Sequence, residues 1–282
     1  MDLQRSHSDQ TSSRQRAAEL RWTRSSYYLL SAFLATLFLL AYVWWPLAKE
    51  YLEQFDTSQS LWRQVDWLLI GIFLLMSLLI MAGADLKKDI WILTVGLAGG
   101  LVIESWGTQT EIWTYYTLER PPLWIIPAWP IASLSIDRLV RISDRYLLNN
   151  GKTKGVVAGY WVAFAAFMGL MFYFVWPTLD KPLTIFALLL CTFLILTPTD
   201  HRLALLTFGA GTGLGFFLEY WGTTRLCWTY YTEQTPPIFA VFAHGMAAVA
   251  FWRSVILLKS AIKKSTGQKK RIASRAQSNS PS

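Results

Sequence analysis

The chain has 282 residues, of which 53 % are hydrophobic and 15 are tryptophan, and its mean hydropathy is +0.31. Charged residues make up 16 % and the formal net charge at pH 7 is +8. Apolar runs of about 18–22 residues recur, each long enough to cross a hydrocarbon core of roughly 30 Å, which excludes a soluble protein and points to an integral membrane one.

In chain order, residues 1–26 ("RSHSDQTSSRQR" within them) read as a disordered, basic cytoplasmic leader. No small-residue cleavage site follows the first apolar run, so a cleaved signal peptide is not expected. Eight spans follow, over 27–48, 67–84, 90–107, 123–140, 156–178, 183–198, 203–221 and 238–258. Residues 141–155 read as a cytoplasmic linker and 259–282, ending "KKSTGQKKRIASRAQSNSPS", as a disordered basic tail. With the N-terminus inside, the outer loops hold only Lys49, Arg63, Arg120, Lys181 and Arg225, while leader, inner loops and tail carry nearly all other Lys and Arg. The positive-inside rule therefore places both termini in the cytoplasm of a multi-pass cell-membrane protein, expected to be of the bacterial inner-membrane type. The basic residues fix topology and meet anionic phospholipid; they do not point to nucleic acid.

The stretch "ESWGTQTEIWTYYTLERPP" at 104 returns 115 residues later, at 219, as "EYWGTTRLCWTYYTEQTPP", with eleven of nineteen positions identical. The same offset matches Gly96 with Gly211, Gly100 with Gly215, and Arg138 with Arg253. The expected fold is all-α integral membrane: eight transmembrane helices as two tandem parallel four-helix repeats, 27–140 and 156–258, related by a pseudo-two-fold axis along the membrane normal. Gly96, Gly100 and Glu104 share one helix face, as do Gly211, Gly215 and Glu219. Such GxxxG faces allow close helix approach in lipid. They serve either a contact between the third and seventh spans or one with a neighbour inside each half, and both arrangements stay open.

At about 1.5 Å rise per residue, Glu104 stands roughly 22 Å from the inner face and Glu219 at a comparable height. His244, which stands where the first copy has Trp129, falls at the level of Glu219, and any site opens toward the extracytoplasmic leaflet. A carboxyl within the membrane is costly and marks function by default. The candidate catalytic residues are Glu219, His244 and Glu104, the first two as an acid/base couple. The candidate substrate-binding aromatics are Trp106, Trp113, Tyr115, Tyr116, Trp129, Trp221, Trp228, Tyr230 and Tyr231, which lie either in an interfacial belt or around a pocket where they attract a developing cation. Asp85 and Asp200 read as N-caps, Arg138 and Arg253 as snorkelling residues, and the Pro-Pro pairs as helix starts. Cys191 and Cys227 lie at different depths, so no disulfide is expected. There is no Walker loop, dinucleotide fingerprint, HExxH or G-x-S-x-G, and neither cofactor nor metal is expected.

The pattern of a Glu at a span's end, then Gly107, Tyr115-Tyr116 and a proline-led next helix, resembles the polytopic carotenoid-biosynthesis membrane proteins, the carotenoid hydratase and small membrane cyclase type. The resemblance covers the two boxes only, and "TQTEIWTYY" and "TTRLCWTYY" stand where the hydratase type has a glycine-rich "TGxPFGxYxY" stretch. It implies acid-initiated water addition or cyclisation on an isoprenoid, with Glu104 and Glu219 as the buried carboxyls. Three function classes follow from the sequence: acid/base chemistry on, or binding of, an isoprenoid or other lipid; proton-coupled transport of a lipid or small molecule; and an accessory subunit of a larger membrane complex. The expected partners are a lipid or isoprenoid ligand and membrane phospholipid, with a homodimer or complex partner left open.

Overall fold

The computed structural model describes residues 21–56, 58–147, 153–198 and 200–278. Its helices are α1 (Arg24–Val43), α2 (Trp45–Glu53), α3 (Leu61–Gln64), α4 (Trp67–Met81), α5 (Leu86–Gln109), α6 (Ala128–Leu147), α7 (Thr153–Val175), α8 (Pro182–Leu196), α9 (His201–Thr224) and α10 (Ile238–Ser278). Two short strands, β1 (Trp113–Tyr115) and β2 (Trp228–Tyr230), follow α5 and α9. Among the described residues the protein is thus all-α apart from one two-stranded ribbon. Five helical segments among the described residues are long and apolar enough to cross a membrane: 24–43, 86–109, 155–178, 201–224 and 238–265. The 15-residue α4 and α8 are apolar but shorter. Helix α6 carries Asp137, Arg138, Arg141, Asp144 and Arg145 in its second half, which lowers its hydropathy.

Capping explains where the helices begin. Thr23 and Ser26 form a capping box at α1, and Thr23 Oγ1 and Ser26 Oγ also donate to the Ala84 and Met81 carbonyls, 2.9 and 2.7 Å away, tying the start of α1 to the end of α4. The leader's expected disorder through residue 26 therefore stops short of Thr23. Asp66, Asp85 and Asp200 accept first-turn amides at the starts of α4, α5 and α9. At the other end, α10 runs on to Ser278 where a disordered tail from 259 was expected. The physical reason is propagation: a helix already nucleated in the bundle extends cheaply through a Lys-, Arg-, Ala- and Gln-rich stretch without proline.

The glycine faces resolve the packing choice in favour of neighbours within each half. A Cβ at Gly96 would meet Pro130 Cα at 2.7 Å, and one at Gly100 would enter the Trp129 side chain, both on α6. Likewise a Cβ at Gly211 would meet the His244 carbonyl and Gly245 Cα at 2.9 Å, and one at Gly215 would enter His244, both on α10. So α5 packs closely on α6 and α9 on α10, rather than α5 on α9.

The two boxes meet through β1 and β2, which pair antiparallel as Trp113↔Tyr230, Thr114↔Thr229 and Tyr115↔Trp228. Because Thr114 and Thr229 are equivalent under the 115-residue offset, this register has a local two-fold centre at their pair. The flanking hydrogen bonds obey it: Tyr116 N to Cys227 O (3.2 Å) and Tyr231 N to Ile112 O (3.1 Å). So do the left-handed residues, Glu111 with Leu226 and Leu118 with Glu233.

Candidate functional site

Each box folds so that its aromatics turn back onto its own glutamate. In the first, Glu104 is 3 % exposed and accepts from Trp113 Nε1 (3.1 Å), Tyr115 OH (3.0 Å) and Trp129 Nε1 (3.0 Å). In the second, Glu219 is 4 % exposed and contacts Trp228 Nε1 (2.9 Å), Tyr230 OH (3.0 Å) and His244 Nε2 (2.8 Å). The strand residues reach back because the left-handed turns at Glu111 and Leu226 reverse the chain directly after each helix. Gly107 and Gly222 make room, since a Cβ at either would overlap the Trp113 or Trp228 indole. A buried carboxyl needs such donors in place of water.

The two sites differ in their third partner. Glu104 is held by neutral donors alone, and an indole N–H only donates. Glu219 faces His244, which can donate, accept or carry a proton, so this half-site can exchange a proton with a neighbouring molecule. The His244 ring lies on Trp129, centroids 5.7 Å apart and planes 13° from parallel, which places the two carboxylate sites side by side.

Both carboxylates and His244 line one cavity of about 490 Å³. Its remaining wall is almost entirely apolar: α1 and α4 form one flank (Phe33, Leu40, Phe73, Met76), α7 and α8 the other (Phe167, Met171, Leu190, Leu194), with α5, α6, α9 and α10 between. Of the aromatics expected at a pocket, Trp106, Trp113, Tyr115, Trp129, Trp221, Trp228 and Tyr230 line it. Tyr116 and Tyr231 do not. Their hydroxyls donate to the Val43 and Phe174 carbonyls, stapling each box to the C-terminal end of α1 or α7. These two are loop anchors because a tyrosine next to an inward-facing one in a strand points to the opposite side.

Trp106 and Trp221 also spend their indole N–H groups across the halves, Trp106 on Thr184 Oγ1 (3.2 Å) and Trp221 on Asp66 Oδ2 (2.8 Å). Sequence reasoning missed Asp66, which lies 155 residues from its partner, and Trp44, whose ring packs on Trp221 at 5.3 Å and lines the cavity. Only the doubled tryptophan in "VWWP", against the single one in "VWP", marks Trp44 in the sequence. It also misplaced Arg138, which does not snorkel: its side chain is 2 % exposed and pairs with Asp89 at 2.6 Å and Asp137 at 2.6 Å. The Pro121-Pro122 pair lies in turns ahead of α6, whereas Pro237 directly precedes α10.

Among the described residues no group of three His, Cys, Asp or Glu is arranged to hold a metal. Fold and site together define an all-α, multi-pass membrane protein with two buried carboxyls beside an apolar cavity. Compared with models of known families, with curated proteins and with solved structures, the chain matches none.

Proposed function

We propose that this protein binds an isoprenoid or other lipid in the cavity and acts on it by acid/base chemistry of the hydration or cyclisation type, with Glu219 as proton donor and His244 as its partner. The observation that carries the reading is the Glu219–His244 contact at 2.8 Å on the wall of an otherwise apolar cavity within a bundle of membrane-type helices. The protonated Glu219 carboxyl gives its proton to one carbon of a C=C bond, its O–H bond breaking as the new C–H bond forms. The cation left on the neighbouring carbon faces the Trp and Tyr rings of the box, whose quadrupoles attract it. A water oxygen then adds while His244 takes the water's proton, giving an alcohol; in a cyclisation a second C=C bond adds instead and a proton returns to the carboxylate. Glu104, with donor-only indole partners, supports the cavity. The resemblance to carotenoid hydratases and small membrane cyclases agrees with this chemistry.

The topology that goes with this reading is eight spans in two tandem four-helix repeats, termini in the cytoplasm of a cell membrane of the bacterial inner-membrane type, and the site in the outer leaflet half. The two-fold register of β1 and β2 and the matched carboxylate cages support the repeat. That same symmetry, one buried carboxyl per parallel repeat, favours a second reading, proton-coupled transport of a lipid or small molecule.

The test is mass spectrometry and absorption spectroscopy of small molecules that co-purify in nanodiscs, followed by turnover of the molecule found. A stoichiometric isoprenoid, converted by the native chain and unconverted by folded Glu219→Gln, is the expected result. Unchanged turnover by folded Glu219→Gln overturns the mechanism, and water access to cysteines placed along α5 and α9 from both faces turns the balance to transport.

A further inference from the structure

The two half-sites share their carboxylate cages but not their outer surroundings. On the first side, Trp106 ends on the neutral Thr184 hydroxyl, and Lys181 Nζ is spent on the Thr110 carbonyl at 3.1 Å. On the second, Trp221 ends on Asp66, and Asp66 lines a separate pocket of about 520 Å³ of mixed polar and apolar wall, with Arg63, Gln64 and Arg225 beside Phe55, Val65 and Trp67. This pocket and the apolar cavity are neighbours. Tyr220 lines one and Trp221 the other, and Leu68 lines one and Leu69 the other.

Among the residues that line the pocket, Arg63 and Arg225 stand with one carboxylate, Asp66. Arg225 Nε holds Asp66 at 3.0 Å and neutralises it, while Arg225 Nη1 is spent on Thr224 Oγ1 at 2.8 Å. Asp56 bonds the Gln64 side chain through its backbone and does not line the pocket; its carboxylate accepts from the Ser58 amide and hydroxyl and from Gln59. Arg63 is exposed and its guanidinium has no hydrogen-bond or ion-pair partner among the described residues. One unspent guanidinium, with Arg225 lining the same pocket, suits an anion, which guanidinium binds in a planar, bidentate fork.

We propose that this pocket takes the anionic headgroup, a terminal phosphate, of a single-chain isoprenoid whose hydrocarbon lies in the cavity below. This rests on the lipid-binding reading above and adds the substrate's polar end. The pocket opens beside the half-site that holds His244, where Trp221 reaches Asp66. Arg63 is a specificity residue here, outside the acid/base machinery.

The experiment titrates geranylgeranyl phosphate, geranylgeraniol and inorganic phosphate onto the full chain in phosphatidylcholine nanodiscs, read by intrinsic tryptophan fluorescence with empty nanodiscs subtracted. The expected result is that the prenyl phosphate binds at least tenfold tighter than the alcohol, and that Arg63→Gln removes most of this preference while leaving alcohol binding unchanged. Equal binding of phosphate and alcohol, or an undiminished preference in Arg63→Gln, overturns the headgroup pocket and leaves the cavity reading standing. Inorganic phosphate binding as tightly as the prenyl phosphate also overturns it, by making the pocket a free-phosphate site. Failure of both prenyl probes to bind overturns the cavity reading itself.

Discussion

Trp129 and His244 hold equivalent positions 115 residues apart and stack on one another, centroids 5.7 Å apart, while each contacts its own half's buried glutamate. The stack joins the two carboxylate sites and is also where they part in chemistry. His244→Trp is expected to fold, because Trp129 shows that an indole fits this geometry over a glycine. It should lose turnover by roughly 10²–10⁴-fold, the usual contribution of an acid/base group. Trp129→His should leave turnover within a few-fold, and the pair of rates on the identified substrate checks both.

Glutamine scanning should separate the two carboxyls by stability. At Glu104, whichever way an amide turns, its NH2 opposes an indole N–H of Trp113 or Trp129, so a buried donor is left unpaired at a cost of about 1–3 kcal/mol. At Glu219, the amide NH2 can face His244, whose ring nitrogen accepts in the other tautomer. Thermal unfolding in mild detergent should therefore show Glu104→Gln well below Glu219→Gln; equal losses would refute the donor-only description of the first cage.

Glycine-to-alanine changes should sort by what lies over them. Gly107→Ala and Gly222→Ala drive a methyl into the Trp113 and Trp228 rings, and overpacking of this kind costs about 1–3 kcal/mol. Gly209→Ala and Gly213→Ala, on the exposed face of α9, meet nothing within 4 Å and should be neutral or stabilise by up to about 1 kcal/mol through helix propensity. Denaturation midpoints of the four variants give the comparison.

The Asp89–Arg138 pair is buried on both sides, 2.6 Å apart, and belongs to the first half only, since Ala204 stands where the second half would place the aspartate. Arg138→Met alone should destabilise by about 3–5 kcal/mol, because it leaves Asp89 charged and buried. Adding Asp89→Leu should recover most of that loss, and a double-mutant cycle measures it. Equal instability of single and double variants would show that the two residues do not act as a pair.

In the loop between α5 and α6, Arg120 hydrogen-bonds Glu111 at 2.7 Å and holds its carboxyl below the ordinary 4.5, with the Arg120 and Lys181 charges adding to the effect. A depressed folded-state value stabilises the loop above the unfolded value and ceases to as the pH falls through the folded one. Amide exchange in the loop should therefore accelerate as the pH drops below about 4.5 relative to Glu111→Gln, beyond the intrinsic pH dependence of exchange. Both residues are exposed, so the difference should be small and should shrink in high salt.

Much of the helix layout was legible in the sequence. Long apolar runs marked the helices, Asp85 and Asp200 marked two of their starts, and the repeated box located both buried glutamates and paired Trp129 with His244. Alternation within "WTYY" was the one available sign that Tyr116 and Tyr231 face away from the cavity, and it went unread because a three-residue strand after a membrane helix has no periodic run to display it.

What the sequence by itself determined is a membrane protein made of one motif used twice, with a histidine in only one copy. That follows from hydrophobic run length and an exact spacing, both of which survive in one dimension. Only the tertiary structure decided that the glycine faces pack within each half, that the two boxes join through an antiparallel ribbon, that Arg138 is buried on Asp89, and that Asp66 accepts from Trp221 beside the Glu219 half-site. These contacts link residues between 29 and 155 positions apart. Their partners are chosen by shape and by which buried donor still lacks an acceptor, quantities that exist only once the helices are packed.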